Sequence, residues 1–279
     1  MRWAVEEGVK PGVEVEVALV PDEEAGGVGT RYLVESGYVK AGHVVVCEPT
    51  TPSRVVIGHK GLVRGVVRVF GRQAHSSTPW RGENAFLRAA ALALEFLESY
   101  EPLLAERGTR WPIESPEEAH PTISLGGYAE SLSRKDNVIP GEFVFSFDRR
   151  VLPEEDAGAV VEELVSCIEA VAKRVSAKCK VEGLASIPAS TTPLDAPIVR
   201  MAGECLREAG YSPSLVIKSG RTDAVYYVSR LGSEAVCLGP GVDGAAHAPD
   251  EFNEVGQVSL FIAVYKLLIE RFGEYASRL

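Results

Sequence analysis

Three acids in succession, Asp22-Glu23-Glu24, close a stretch that alternates and then runs apolar, Gly-Val-Glu-Val-Glu-Val-Ala-Leu-Val over 12–20, stopped by Pro21. A run of acids is ordinarily a solvated face. One placed just past the C-terminal end of an apolar strand stands where open α/β sheets put their ligands. Glu48 repeats the arrangement after the apolar run 43–47. His247 lies in a loop of small residues, Gly-Pro-Gly-Val-Asp-Gly-Ala-Ala-His-Ala-Pro-Asp-Glu over 239–251, built for turns rather than for a core. Two carboxylates and an imidazole at three strand ends form the mixed oxygen and nitrogen set that suits Zn²⁺. A further carboxylate not bound to the metal can serve as general base for a metal-activated water.

Two other polar clusters stand out. His75 sits in Gly71-Arg72-Gln73-Ala74-His75-Ser76-Ser77-Thr78-Pro79, and is either a working residue or an exposed loop histidine. The turn Lys218-Ser219-Gly220-Arg221-Thr222-Asp223 opens a helix, and reads as an anion site at a helix N-terminus or as an ordinary capped turn. His43, His59 and His120 lack acidic or cysteine partners nearby and read as surface or packing residues.

The elements that must position these residues follow from periodicity. Strands are expected at 12–20 and 43–47 with a helix between, the βαβ pattern of a parallel sheet covered on both faces. The pattern then changes. Strands at 61–70, 123–125, 142–147 and 178–186 alternate with helices at 84–98 and from about Pro153 to 175, a β-α-β-β-α-β order that reads as a ferredoxin-like unit. The first of these helices is expected to bury Phe86, Ala90, Ala93 or Leu94, and Leu97. The second carries Glu154, Glu155 and Asp156 in its first turn and Lys173 and Arg174 near its end, as the helix dipole favours. Helices near 195–209, 222–230 and 254–272, with strands at 214–218 and 234–238, return to the α/β pattern. The expected organisation is an α/β domain of residues 1–56 and 188–279, interrupted by an α+β insertion at 57–187.

Composition narrows the classes. The 279 residues are 46% hydrophobic and 24% charged, with 29 basic against 39 acidic residues and a net charge of −10. An acidic chain without a basic stripe argues against nucleic-acid binding. No apolar run reaches the ~18–20 residues of a membrane span. Residues 2–7 lack the apolar stretch of a signal peptide. Five scattered cysteines, an odd number with no CxxC pair, read as reduced thiols of a cytoplasmic protein.

Seven stretches in order carry a resemblance: Pro21 to Gly29, Cys47-Glu48-Pro49-Thr50, Gly58-His59-Lys60-Gly61, Gly71 to Pro79 with Gly82-Glu83-Asn84-Ala85, Asn137-Val138-Ile139-Pro140-Gly141, Asp148-Arg149-Arg150, and His247-Ala248-Pro249-Asp250-Glu251. The sequence resembles the di-zinc amidohydrolases that include acetylornithine deacetylase, succinyl-diaminopimelate desuccinylase, aminoacylase and carboxypeptidase G. The resemblance implies a zinc-peptidase-like α/β catalytic domain with an inserted ferredoxin-like lid and dimerisation domain. It further implies metal-dependent hydrolysis of amide bonds in N-acyl amino acids or small peptides. Glu23 matches the base that takes a proton from the metal-bridging water. Glu24 and His247 match ligands of one zinc, and Glu48 a ligand of the other, with cobalt or manganese as alternative metals. His75 resembles the lid histidine that, in dimeric members, reaches the partner's active site. Asn137 and Arg150 resemble residues that contact the substrate carboxylate, and Arg221 is matched more loosely because the family often has glycine near there. A homodimer through the insertion is implied.

One family feature is not matched: the upstream H-x-D motif and a later bridging aspartate. No histidine precedes His43 and no aspartate precedes Asp22. The expectation is therefore two of three ligands at one metal and one of three at the other, and a chain inactive by itself. The alternatives are a non-catalytic binding or dimerisation module, one half of a split enzyme, and a related zinc aminopeptidase.

Overall fold

The computed structural model describes Glu6 and residues 12–277. In chain order its elements are α1 (Val28–Glu35), β1 (His43–Val46), β2 (Arg54–His59), β3 (Gly61–Phe70), β4 (Ala74–His75), α2 (Ala85–Ala105), β5 (Ile123–Ser131), β6 (Val138–Ile139), β7 (Glu142–Val151), α3 (Ala157–Arg174), β8 (Lys178–Ile187), β9 (Ser190–Thr191), α4 (Pro197–Glu208), β10 (Ser214–Lys218), α5 (Ala224–Leu231), β11 (Glu234–Cys237) and α6 (Val255–Ala276). They divide into two units. The first comprises Met1–His59, Pro112–Glu114 and Ser190–Leu279, the second Lys60–Trp111 and Ser115–Ala189.

The first unit is built on a mixed sheet of order β1-β11-β2-β10, with β9 paired onto β2. β1 runs parallel to β11 and β2 parallel to β10, whereas β11 and β2 are antiparallel. Val55, Val56 and Ile57 of β2 are fully buried, which is why this apolar run takes an interior position. The strand expected over 12–20 does not form. Residues 14–20 make no ladder, and Val17 and Leu19 stand in solvent. The alternation of valine and glutamate needs a neighbouring strand to hold it. None of the described strands runs beside it, and β1 keeps its outer edge unpaired among the described residues. The expected first βαβ unit is therefore absent among the described residues, and α1 leads into β1, whose paired neighbour is β11.

The second unit is an antiparallel sheet of order β5-β7-β3-β8 in the connectivity β-α-β-β-α-β. Val63, Val67, Val69, Phe145 and Phe147 pack with Leu92, Phe96 and Tyr100 of α2 and Leu164, Ile168 and Val171 of α3. This is the ferredoxin-like arrangement. Three local expectations shift. First, α2 buries Ala85, Ala89, Leu92, Phe96, Tyr100 and Leu104, while Phe86 and Leu94 are exposed. The helix is apolar on nearly every side, so periodicity leaves the choice of stripe to the packing partner. Second, β5 continues past the expected 123–125 to Ser131, with a register shift between Leu125 and Ala129 at Gly126-Gly127, where Gly126 takes a left-handed φ of 76°. Third, α3 starts later than expected, with Asp156 capping it through Ala159 N–H at 2.8 Å. Glu155 lies ahead of the helix. It pairs with the fully buried Arg149 at 2.5 Å and accepts from Leu152 N–H at 2.7 Å. Arg107 donates to Glu155 at 2.9 Å and to Glu163 at 2.7 Å, and Tyr100 to Glu163 at 2.6 Å, closing a charged network beside the core.

Candidate functional site

The acidic turn is shaped by backbone in the left-handed region. Asp22, Gly26 and Gly27 have φ of 62°, 97° and 66°. The turn closes through Gly27 N–H to the Asp22 carbonyl at 2.9 Å and Gly26 N–H to the Glu23 carbonyl at 3.0 Å. α1 begins at once, at Val28. Glu23 is half-buried and Glu24 exposed. Burial pushes the Glu23 carboxyl above its ordinary range, and the nearby charge of Glu48 adds to this, while Arg221 pulls the other way.

Glu48 follows β1, its N–H bonded to the Val46 carbonyl at 2.8 Å. Burial raises its carboxyl too, against the opposing charge of Lys218. Lys218 ends β10 and donates to the Pro49 carbonyl at 3.0 Å. Thr50 is buried and accepts from Gly239 N–H at 3.1 Å, so the Glu48 segment is tied to the start of the glycine-rich loop. That loop carries His247 in a left-handed conformation, φ 59°, with its N–H bonded to Glu251 at 3.1 Å. His247 Nε2 lies 3.6 Å from Glu24 Oε1, both side chains largely in solvent. Pro49, Gly241, Val242, Ala245, Glu251 and Phe252 line a shallow hollow of about 270 Å³ beside it.

Two carboxylates and an imidazole are donors suited to a divalent ion, and the Glu24–His247 pair has the spacing of groups that could share one. Glu48 feels Glu24 electrostatically, yet among the described residues no three His, Cys, Asp or Glu side chains gather as a metal centre. The pair fits a metal; the full ligand set is not closed.

Arg221 is not presented to solvent. Its guanidinium, 9% exposed, donates to Asp223 Oδ1 at 3.2 Å, to the Glu23 carbonyl at 2.9 Å and to Glu23 Oε1 at 3.2 Å. Asp223, named in the sequence only as part of the 218–223 turn, completes this contact together with Thr30 and Tyr226, which sequence reasoning did not single out. Thr30 Oγ1 donates to Asp223 Oδ2 at 2.5 Å and Tyr226 to the Gly26 carbonyl at 2.5 Å. The adjacent Thr222-Asp223 at a helix start was the available signal, but it pointed to a cap. Asp223 occupies the N-cap position of α5 and makes no capping bond.

In the second unit β4 pairs with β6, placing His75 opposite Val138, and Ser76 N–H bonds to the Asn137 carbonyl at 3.0 Å. His75 and Asn137 are thus neighbours, both exposed, with His75 Nδ1 2.8 Å from Ser77 Oγ. Arg150 lies on β7 and pairs with Asp148 at 2.8 Å. Of the cysteines, Cys205 and Cys237 are buried, and burial pushes their thiols up to about 11 and about 12; Cys47 is exposed. No described helix is long and apolar enough to cross a membrane.

Residues 57–176 match the family model described as a peptidase dimerisation domain. The chain is 31% identical over 240 residues to acetylornithine deacetylase of Myxococcus xanthus, covering 85% of this chain and 59% of that protein. It is 26% identical over 266 residues to succinyl-diaminopimelate desuccinylase of Xanthomonas euvesicatoria, covering 91% and 65%. The chain therefore spans less than two thirds of the length of these curated relatives. Among solved structures, the dipeptidase Dug1p of Saccharomyces cerevisiae shares the fold at a TM-score of 0.74 and 14% identity, over 91% of this chain and 64% of that one. An M20 family metallo-carboxypeptidase of Sulfolobus solfataricus does so at 0.67 and 19%, over 90% and 69%.

Proposed function

We propose that the chain belongs to the M20 peptidase family, whose dimerisation-domain model matches residues 57–176, and that, like the acetylornithine deacetylases and succinyl-diaminopimelate desuccinylases it is similar to, it carries the base and metal-binding acids of a metal-dependent amide hydrolase. The observation that carries this reading is the meeting of two distant loops: Glu24 stands 3.6 Å from His247, with Glu23 held half-buried in the same turn. Substrates are N-acyl amino acids or small peptides. Glu24 and His247 would hold one divalent ion and Glu48 would contribute to a second, zinc in this reading, with cobalt or manganese as alternatives for either ion. Such an ion supplies Lewis acidity toward a carbonyl and a water of lowered pKa. Glu23 takes up the proton and returns it to the leaving amine. A carboxyl raised by burial is a stronger proton acceptor than an ordinary one, which suits that two-way transfer. His75 serves the scissile carbonyl, across a homodimer formed through the dimerisation domain, and Asn137 and Arg150 receive the substrate carboxylate; these roles rest on the resemblance.

The test is amine release from a panel of N-acyl amino acids and dipeptides, with millimolar zinc, cobalt or manganese in the medium. Release that a chelator abolishes and Glu23→Gln removes supports the reading. A second reading is a non-catalytic dimerisation module or one half of a split enzyme, and the match of residues 57–176 to a peptidase dimerisation domain is what speaks for it. No release under any metal, from a chain that still dimerises, supports it.

A further inference from the structure

We propose that Asp223 and Thr30 turn Arg221 into a clamp that positions the Glu23 carboxylate, making Arg221 and Asp223 positioning residues. The inference deepens the hydrolase reading and rests on it for the role of Glu23. Both terminal nitrogens of Arg221 are engaged. One donates to Asp223 Oδ1, and the other to the carbonyl and carboxylate of Glu23, 198 residues away in sequence. Asp223, 4% exposed at its side chain, leaves its N-cap bond unmade. It uses its second oxygen to accept from the buried Thr30, in the first turn of α1. Tyr226 adds a bond from α5 to the Gly26 carbonyl.

The two segments are pressed together: a Cβ on Gly27 would stand 2.1 Å from Asp223 Oδ1 and 3.1 Å from Arg221 Nη1. Upstream, residues 14–20 make no ladder, so the clamp holds the acidic turn from its far side. A planar fork can serve a carboxylate at one nitrogen and a second acceptor at the other, which a lysine ammonium does with less geometric control. Asp223 balances the guanidinium charge, so Arg221 orients Glu23 by hydrogen bonding while the pair stays neutral. Arg221 is then a residue that acts through Glu23, not one that receives substrate.

Hydrogen exchange by mass spectrometry on the full chain tests the clamp directly. In Arg221→Ala and Asp223→Asn, amides of 22–27 should exchange about ten-fold faster or more, while peptides from β3 and β7 stay unchanged. Thr30→Val, which removes one hydrogen bond, gives a smaller change in the same direction and serves where Asp223→Asn fails to fold. In amine-release kinetics Arg221→Ala should lower kcat with KM unchanged, and Arg221→Lys should recover part of the loss. Unchanged exchange at 22–27 overturns the proposal. So does a rise in KM at constant kcat, which would return Arg221 to substrate binding. Faster exchange in the variants of a wild-type chain that releases no amine supports the clamp and sinks the hydrolase reading instead.

Discussion

Arg149 is a buried charge that needs its partner. It is fully buried, and Glu155 meets it with two hydrogen bonds. Removing one member of such a pair leaves the other desolvated and alone, so Glu155→Gln should cost about 3–5 kcal/mol in urea unfolding. Burial alone would raise the Glu155 carboxyl, but Arg149 and the Leu152 N–H overcome it and hold it below its ordinary 4.5. Glu163 is depressed likewise, against burial, by Arg107 and Tyr100. A depressed carboxyl contributes stability that is full above its unfolded pKa and is lost as pH falls through the folded one. The second unit should therefore weaken on acidification below about pH 4.5. Glu23 and Glu48 are raised, so their contribution has the opposite sign: present below the unfolded pKa and lost as pH rises through the folded one. Unit-resolved hydrogen exchange between pH 3 and 7 checks both directions; parallel behaviour of the two units would contradict this assignment. Gly27 makes a sharper case. Its left-handed φ and the 2.1 Å approach to Asp223 leave no space for a methyl group, so Gly27→Ala should cost more than about 1–2 kcal/mol and loosen the acidic turn.

At the scale of elements, α2 separates what periodicity specifies from what it leaves open. The sequence identifies a helix, but several of its stripes are apolar, and only the sheet beneath selects the stripe of Leu92, Phe96 and Tyr100. Leu92 is fully buried and Leu94 is 65% exposed. Leu92→Ala should cost about 2–5 kcal/mol in the unfolding midpoint. Leu94→Ala should stay within about 0.5 kcal/mol. Equal effects would mean that the helix faces the sheet by the other stripe. The same logic explains the missing strand at 12–20. Alternation marks a segment that can pair, and pairing still requires a neighbour. α3 supplies the converse, since Asp156 and not Pro153 sets its start: Glu155 ahead of it is drawn to Arg149 and Arg107, and Glu154 accepts from Thr109 and the Arg110 N–H.

For the whole molecule, the described residues bring together Glu24 and His247 but no third ligand. After zinc loading and desalting, the chain should retain fewer than about one ion, because metal sites ordinarily take three or four protein ligands. Two retained ions would require ligands beyond these. The acidic turn, the histidine loop and the ferredoxin-like order were legible in the sequence as residue type at a fixed spacing or as local period, whereas the roles of His75, Asn137 and Arg150 came from the resemblance alone. The clamp of Arg221, Asp223, Thr30 and Glu23 was not legible. Its two halves, Glu23 with Thr30 and Arg221 with Asp223, lie nearly 200 residues apart, and each residue taken alone looks like a cap or a surface charge. The sequence by itself determined which residues can do chemistry and which segments can be helix or strand, because those properties are local. Tertiary structure alone decided which stripe of α2 is buried, which strand goes unpaired and which acid receives a guanidinium, because burial and pairing depend on what the fold sets beside each segment.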